Sequence, residues 1–211
     1  MVVEKKYLEI VAHYEGCLAQ HGDTHRGVDW PKPEHVDIRY RVMLDVIKGD
    51  AQNVSLLDFG CGASHLYEYI QRKGLTHIAY AGLDISEEFI ALSRQKFPAL
   101  PYYCMDVLTD GDALPEFDYI VMNGVFTEKR SLSYAEMLEY FFAMLRKVYV
   151  KASAGLAFNV MSSHVDWERD DLFHLPLDTL ASFVTQALGR DFVIRNDYGL
   201  YEYTAYLYRR R

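Results

Sequence analysis

Apolar positions return at helical spacing near the start of the chain. Tyr7, Ile10, Val11, Tyr14 and Leu18 share one side of a helix expected over Val2 to Leu18. From His21 to Pro33 two glycines, two prolines and polar residues break that period, and a loop is expected. A second amphipathic helix is expected from Glu34 to Lys48, with Val36, Tyr40, Met43, Leu44 and Ile47 on its apolar face and Gly49 at its end. The pattern then alternates. Apolar runs at Val54 to Phe59, Ile78 to Leu83, Pro101 to Met105, Phe117 to Met122 and Gly155 to Met161 read as short strands. Helical stretches separate them: Ser64, placed to cap, to Lys73; Ser86 to Phe97; and Tyr134 to Lys151, with Met137, Leu138, Phe141, Leu145 and Val148 on one side. A polar loop, Ser162 to His174, leads to a helix from Leu177 to Leu188. Asp191 to Arg195 and Tyr201 to Tyr208 are two last strands around the turn Asn196-Asp197-Tyr198-Gly199.

Strands alternating with helices predict an α/β fold: a doubly wound, mostly parallel sheet of seven strands, one antiparallel through the closing hairpin. The 211 residues fit a single domain, with residues 34–211 as its body and residues 1–33 as a helical appendage with a lid or substrate loop. The 22 basic and 30 acidic residues leave a net charge of −8, which argues against binding a nucleic-acid backbone. The one basic cluster is Arg209-Arg210-Arg211. Cys17, Cys61 and Cys104 are too few and too scattered for a disulfide framework or a paired-cysteine metal site. Glu4, Lys5, Lys6 and Glu9 occupy the stretch where a signal peptide would be apolar, and no apolar run reaches the roughly 20 residues of a membrane helix. A cytoplasmic protein, monomeric or homodimeric and off the membrane, is expected.

In an open parallel sheet, ligands bind beyond the carboxyl ends of the strands. The first strand ends Asp58-Phe59-Gly60-Cys61-Gly62, where two glycines let a ligand approach the backbone closely. His65 stands where a dinucleotide fold would have its third glycine, which disfavours a nicotinamide-dependent oxidoreductase. The second strand ends at Asp84, 22 residues beyond Gly62, the spacing of a carboxylate that accepts from a ribose hydroxyl pair. Asp106-Val107 follows the third strand and Asn123-Gly124-Val125 the fourth. Each residue also has a plain structural use: the glycines as a tight turn, Asp84 as a helix cap, Asp106 as a turn residue.

Taken in order, Asp58-Phe59-Gly60-Cys61-Gly62, Asp84, Asp106-Val107 and Asp118-Tyr119-Ile120-Val121-Met122-Asn123-Gly124-Val125 resemble the class I S-adenosylmethionine-dependent methyltransferases. The resemblance spans about residues 34–208 and implies that family's Rossmann-like fold, its seventh, antiparallel strand included. It implies S-adenosylmethionine as cofactor and S-adenosylhomocysteine as product. Gly60 and Gly62 would pass beneath the methionine part, Asp84 would hold the ribose hydroxyls and Ile85 would pack on the adenine. Asp106 would accept the adenine amino group, Val107 would offer a backbone donor, and Asn123 to Val125 would line the cofactor near its sulfonium. The chain departs from the family's usual glycine loop at Ala63-Ser64-His65.

The expected reaction is methyl transfer to a small polar acceptor, an oxygen of a sugar or other biosynthetic metabolite. His164 follows a strand end and is the first candidate base; His21 and Asp29 in the early loop are weaker ones. Arg39 is placed to reach the cofactor carboxylate, and Tyr14, His25, Trp30 and Trp167 are candidate acceptor contacts. His21 and His25 flank Asp23, but no third ligand follows, so a lid loop and no metal is the preferred reading. The alternative is a regulatory or scaffold protein that binds the cofactor or its product without turnover.

Overall fold

The computed structural model describes residues 5–49 and 51–209. Of the expected features, residues 2–4 of the first helix and Arg210 and Arg211 of the basic cluster lie outside the described residues. A 3-10 turn, Lys5–Tyr7, opens helix α1, Leu8–His21. Helix α2 is Val36–Leu44. Then come β1 (Val54–Phe59), α3 (His65–Arg72), β2 (Ile78–Asp84), α4 (Glu87–Lys96), β3 (Tyr102–Cys104), the short α5 (Val107–Asp110) and β4 (Phe117–Phe126). The chain continues through α6 (Tyr134–Tyr149), β5 (Ala152–Ser162), β6 (His174–Leu175), α7 (Leu177–Ala187), β7 (Phe192–Arg195) and β8 (Glu202–Tyr208).

The strand order is β3-β2-β1-β4-β5-β8-β7, with the two-residue β6 also against β5. β8 runs antiparallel to both β5 and β7, and the other pairings are parallel. This is the doubly wound sheet that the alternation predicts. Successive residues face opposite helical layers because side chains alternate along a strand. Leu57, Ile120, Leu156 and Phe158 pack with Met137, Phe141, Leu145 and Val148 of α6 and Leu180 and Val184 of α7. Leu56, Val121 and Ala157 pack with Tyr40, Met43 and Leu44 of α2 and Leu66 and Ile70 of α3.

Several boundaries differ from expectation for local reasons. α1 runs on to His21, and Gly22, at φ +63°, ends it. α2 stops at Leu44 rather than at Lys48. Ser64 does not cap α3: it is left-handed at φ +59°, and its buried hydroxyl bonds Ser93 Oγ (2.9 Å) and Tyr102 Oη (3.0 Å). β4 continues past Met122 to Phe126 through a register shift at which Gly124 takes φ +81°. α6 begins with a capping box between Ser133 and Glu136.

Phe141 is fully buried, with its ring 4.8 Å from Phe126, 5.5 Å from Phe158 and 5.7 Å from Phe173. Phe141→Ala is expected to cost about 3–5 kcal/mol in urea unfolding, from lost burial plus the cavity left behind. A loss below 1 kcal/mol would mean that α6 does not anchor this layer.

Candidate active site

The chain winds outward from β1 to β2 and β3, then returns to place β4 and β5 on the other side. That reversal opens a crevice beyond the carboxyl ends of β1 and β4. The exit of β1 is a glycine turn, with Gly60 at φ +73° and Gly62 at φ +51°. Leu83 O accepts from both Gly60 N (2.7 Å) and Cys61 N (2.9 Å), which ties the turn to β2. A Cβ on Gly60 would lie 2.7 Å from Val125 Cγ2, so only glycine lets this turn approach the end of β4. The crevice is lined by Asp58, Phe59, Gly60, Cys61 and Gly62 from the first exit and by Asp84 and Ile85 from the second. Asp106 and Val107 line it after β3, and Asn123, Gly124 and Val125 from β4.

Asp84 Oδ2 accepts from Gly62 N (2.9 Å) and Oδ1 from Ser86 N (3.0 Å). Burial pushes its carboxyl up, and these backbone donors favour the charged form. Asp58 has less help. Burial raises its pKa to about 7, opposed by the Tyr80 hydroxyl at 2.8 Å and reinforced by the charge of Asp84. Asp106 caps α5 through Leu108 N (3.1 Å), and its other oxygen accepts from Tyr7 Oη (2.7 Å) and faces Lys5 Nζ (3.3 Å). The side-chain amide of Asn123 is buried, and neither its oxygen nor its nitrogen has a hydrogen-bond partner among the described residues. A buried amide in that state is matched to a ligand's polar atoms.

The N-terminal segment roofs the crevice. Tyr7, Ile10, Val11 and Tyr14 line it from above, with Val28 and Trp30 beside them. Tyr7 stacks on Tyr140 at 4.9 Å, Tyr14 Oη donates to Gly124 O (3.2 Å), and Ser86 Oγ donates to Glu15 (2.6 Å). Trp30 lies 3.6 Å from the position of a Cβ on Gly124 and is supported by His25, whose Nδ1 bonds Trp30 O.

Other expected site residues stand elsewhere. Arg39 does not line the crevice: it forms a two-pronged pair with Glu202 (2.8 and 2.9 Å) and lies over the Trp30 ring. Glu202 is 2% exposed and also accepts from Asn159 Nδ2 (2.9 Å), while Asn159 Oδ1 accepts from Gly124 N (2.7 Å). Arg39 thus acts on the crevice through two buried polar side chains. His164 is exposed, as is Trp167 at 73%, and neither lines the crevice. Both follow the point where β5 pairs with β6, and that pairing carries the loop outward. His21 ends α1 away from the lining residues, and Asp29 bonds His13 Nε2 (2.8 Å). Asp23 is held by His65 and Lys96 rather than by His21 and His25. Tyr7, Tyr40, Tyr140, Asn159 and Glu202 were not singled out as site residues in the sequence. A charged residue in the apolar run of β8 was the available signal for Glu202.

Residues 57–148 match the family profile described as a methyltransferase domain. A relative from Mycobacterium tuberculosis that carries a provisional methyltransferase name is 27% identical over 156 residues, 73% of this chain and 92% of its own. The chain is thus similar to methyltransferases over the stretch that carries the glycine turn, Asp84, Asp106 and Asn123. The chain also shares its fold with solved structures. Magnesium protoporphyrin IX methyltransferase from Synechocystis, with bound S-adenosylhomocysteine, superposes with a TM-score of 0.65 at 14% identity, over 96% of this chain and 100% of that one. Human N-acetylserotonin methyltransferase gives 0.64 at 15% identity, over 95% and 61%. Plantazolicin methyltransferase gives 0.62 at 16%, over 99% and 100%. At these identities the likeness is one of fold. No described helix is long and apolar enough to cross a membrane.

Two outcomes test these electrostatics. Asp58 binds its proton more tightly folded than unfolded, so its contribution to stability is complete below about pH 4 and is lost as pH rises to about 7. Asp58→Asn is expected to flatten that fall by up to about 1.4 kcal/mol per pH unit, read from urea unfolding at pH 5 and pH 8. Identical pH profiles for the two proteins would show that Asp58 is ionised throughout. Arg39→Ala strands Glu202 in the interior and is expected to cost about 3–5 kcal/mol, while Arg39→Met with Glu202→Gln regains most of it. A single variant within 1 kcal/mol of the parent would refute the buried-pair reading.

Proposed function

We propose that the crevice binds S-adenosylmethionine and that the chain transfers its methyl group to an oxygen of a small polar acceptor. The observation that carries this reading is the buried, unpartnered amide of Asn123 at the end of β4, in one crevice with the carboxylates of Asp84 and Asp106. The donor set suits the cofactor. Two carboxylates can accept from ribose hydroxyls and an adenine amino group, the apolar Ile85 and Val107 can flank a ring, and the Gly60–Gly62 turn leaves room beside the backbone. Asp84 would hold the ribose and Asp106 the base. Asp106 is also the residue that Tyr7 and Lys5 engage, so filling the adenine end rearranges the roof. When bound, S-adenosylmethionine supplies an electrophilic methyl carbon on a sulfonium, which leaves alignment as the protein's main task.

The acceptor would enter between Gly124 and the roof, against Tyr14 and Trp30, with residues 5–32 acting as a cover over the domain body. Solved relatives by fold are named for magnesium protoporphyrin IX, N-acetylserotonin and plantazolicin, and this supports the small-molecule class. Binding without turnover is the second reading. It is favoured by the exposed position of His164, which leaves the expected base outside the crevice.

Calorimetric titration with S-adenosylmethionine and S-adenosylhomocysteine is expected to show saturable binding. Asp84→Ala should weaken it on the order of 10–100-fold, the loss of hydrogen bonds to a charged group. Transfer of labelled methyl to a panel of hydroxylated metabolites is expected to follow, reduced in Trp30→Ala. Binding unchanged by Asp84→Ala would overturn the assigned cofactor pose. Tight binding with no transfer to any acceptor, in a folded protein, would favour the regulatory reading.

A further inference from the structure

The roof holds a second group of chemically active side chains that the crevice does not use. His13 and Cys17 are four residues apart on α1, so both project from one face of the helix. Asp29, in the loop just before Trp30, meets them. His13 Nε2 lies 2.8 Å from Asp29 Oδ2 and 3.8 Å from Cys17 Sγ, and the three ligand atoms fall within 4.8 Å of one another. All three side chains are half-buried, shielded but reachable. Asp29 is held at φ +55°, a left-handed conformation in which its side chain turns back toward α1.

We propose that His13, Cys17 and Asp29 form a binding site for a borderline divalent cation of the zinc class, tying α1 to the loop that carries Trp30. Imidazole nitrogen, thiolate sulfur and carboxylate oxygen are the three ligand types zinc takes, and three protein ligands leave a fourth position open. With bond lengths of about 2.0–2.3 Å, a tetrahedral ion sets neighbouring ligand atoms about 3.4–3.6 Å apart. The nitrogen–sulfur separation is already near that value. The nitrogen–oxygen separation is the length of a hydrogen bond and opens by about half an ångström when an ion replaces the shared proton. The balance is simple. Cys17 gives up its thiol proton to solvent, and His13 binds through Nε2 with one proton on Nδ1, the proton it shared with Asp29 moving to Nδ1 in a neutral ring or to solvent from a protonated one. Glu128 is buried at 6% exposure and feels the charge of Asp29, and Arg130, bonded to Glu128 at 3.3 Å, is the neighbouring positive group. The expectation of no metal rested on His21, Asp23 and His25; this ligand set uses other residues, joined by a loop contact that spacing alone does not reveal.

The site stands apart from the methyl-transfer reading and is tested by binding alone. The full chain carrying Cys104→Ser, which removes the exposed thiol, is titrated with Co²⁺ and then Zn²⁺ under reducing conditions. One equivalent of Co²⁺ is expected to give a thiolate charge-transfer band and intense visible bands of tetrahedral coordination. Zn²⁺ should displace it and raise the melting temperature. Cys17→Ser should abolish the charge-transfer band. His13→Ala and Asp29→Asn should each weaken Zn²⁺ more than about 100-fold, beyond the 10–100-fold of an outer partner. Circular dichroism confirms that each variant is folded. A band that survives Cys17→Ser, or a folded parent that takes up no equivalent of either ion, would overturn the site.

Discussion

The exit of β1 is the constraint on which the rest of the site depends. A parallel sheet sends every strand out at the same edge, and here the exits of β1, β2 and β4 converge within a few residues. Only a left-handed glycine turn fits among them. Gly60 packs where its own Cβ would strike Val125, and its N–H shares Leu83 O with that of Cys61. The turn therefore fixes β2 and β4 as well as β1. Asp84 extends the same tie by accepting from Gly62 N, so the carboxylate assigned to a ligand is also part of the turn. Geometry and chemistry share one set of atoms. Ligand binding at this edge would consequently stiffen the centre of the sheet rather than a peripheral loop.

The N-terminal segment has the opposite character. In α1 and the turn before it, only Tyr7 and Ile10 are buried. Several of its polar attachments run to crevice groups, Tyr7 to Asp106, Tyr14 to Gly124 and Glu15 to Ser86, and others, Lys6 to Glu136 and Ser131 to Glu9, tie it to the start of α6 and the residues before it. An element held by few apolar contacts and several hydrogen bonds opens at low cost. Opening the first three of these would free atoms that a ligand at the crevice can use. Roof and ligand thus compete for some groups and cooperate at others. In the proposed pose Asp106 would exchange Tyr7 for an incoming donor, whereas Tyr14 and Trp30 would gain a contact on closure.

The legible part of this molecule is the part set by local period and by glycine. The mostly parallel sheet with its closing antiparallel hairpin, both helical layers and twelve crevice residues from Asp58 to Val125 lie where the pattern of runs and strand-end residues puts them. Contacts between distant segments were not legible. Arg39 and Glu202 are 163 residues apart, and an arginine beside an apolar helix face carries no sign of its partner. The His13–Asp29 contact needs a loop to fold back on a helix, which depends on Asp29 taking a positive φ. His164 was singled out because it follows a strand, yet β5 first pairs with the two-residue β6, too short to leave a period in the sequence. Ser64 was read as a cap from its position alone; its buried hydroxyl answers to Ser93 and Tyr102 instead.

Two carboxylates at neighbouring strand ends pose a last problem, because like charges buried together cannot both be cheap. The fold separates their roles by giving them unequal partners. Asp84 receives backbone N–H groups from two sides, which favour its anion without a counter-charge. Asp58 receives one tyrosine hydroxyl and is pushed up to about 7, so near neutral pH it can hold a proton beside Asp84. One carboxyl then serves as an anchor at the strand end, and the other keeps backbone donors that offset its burial at the crevice wall, where a ligand with hydroxyl donors would complete its shell. A second backbone-bonded anion at position 58 would repel the first and weaken the turn both depend on. The asymmetry between Asp58 and Asp84 therefore eases the cost of placing two carboxyls at this edge.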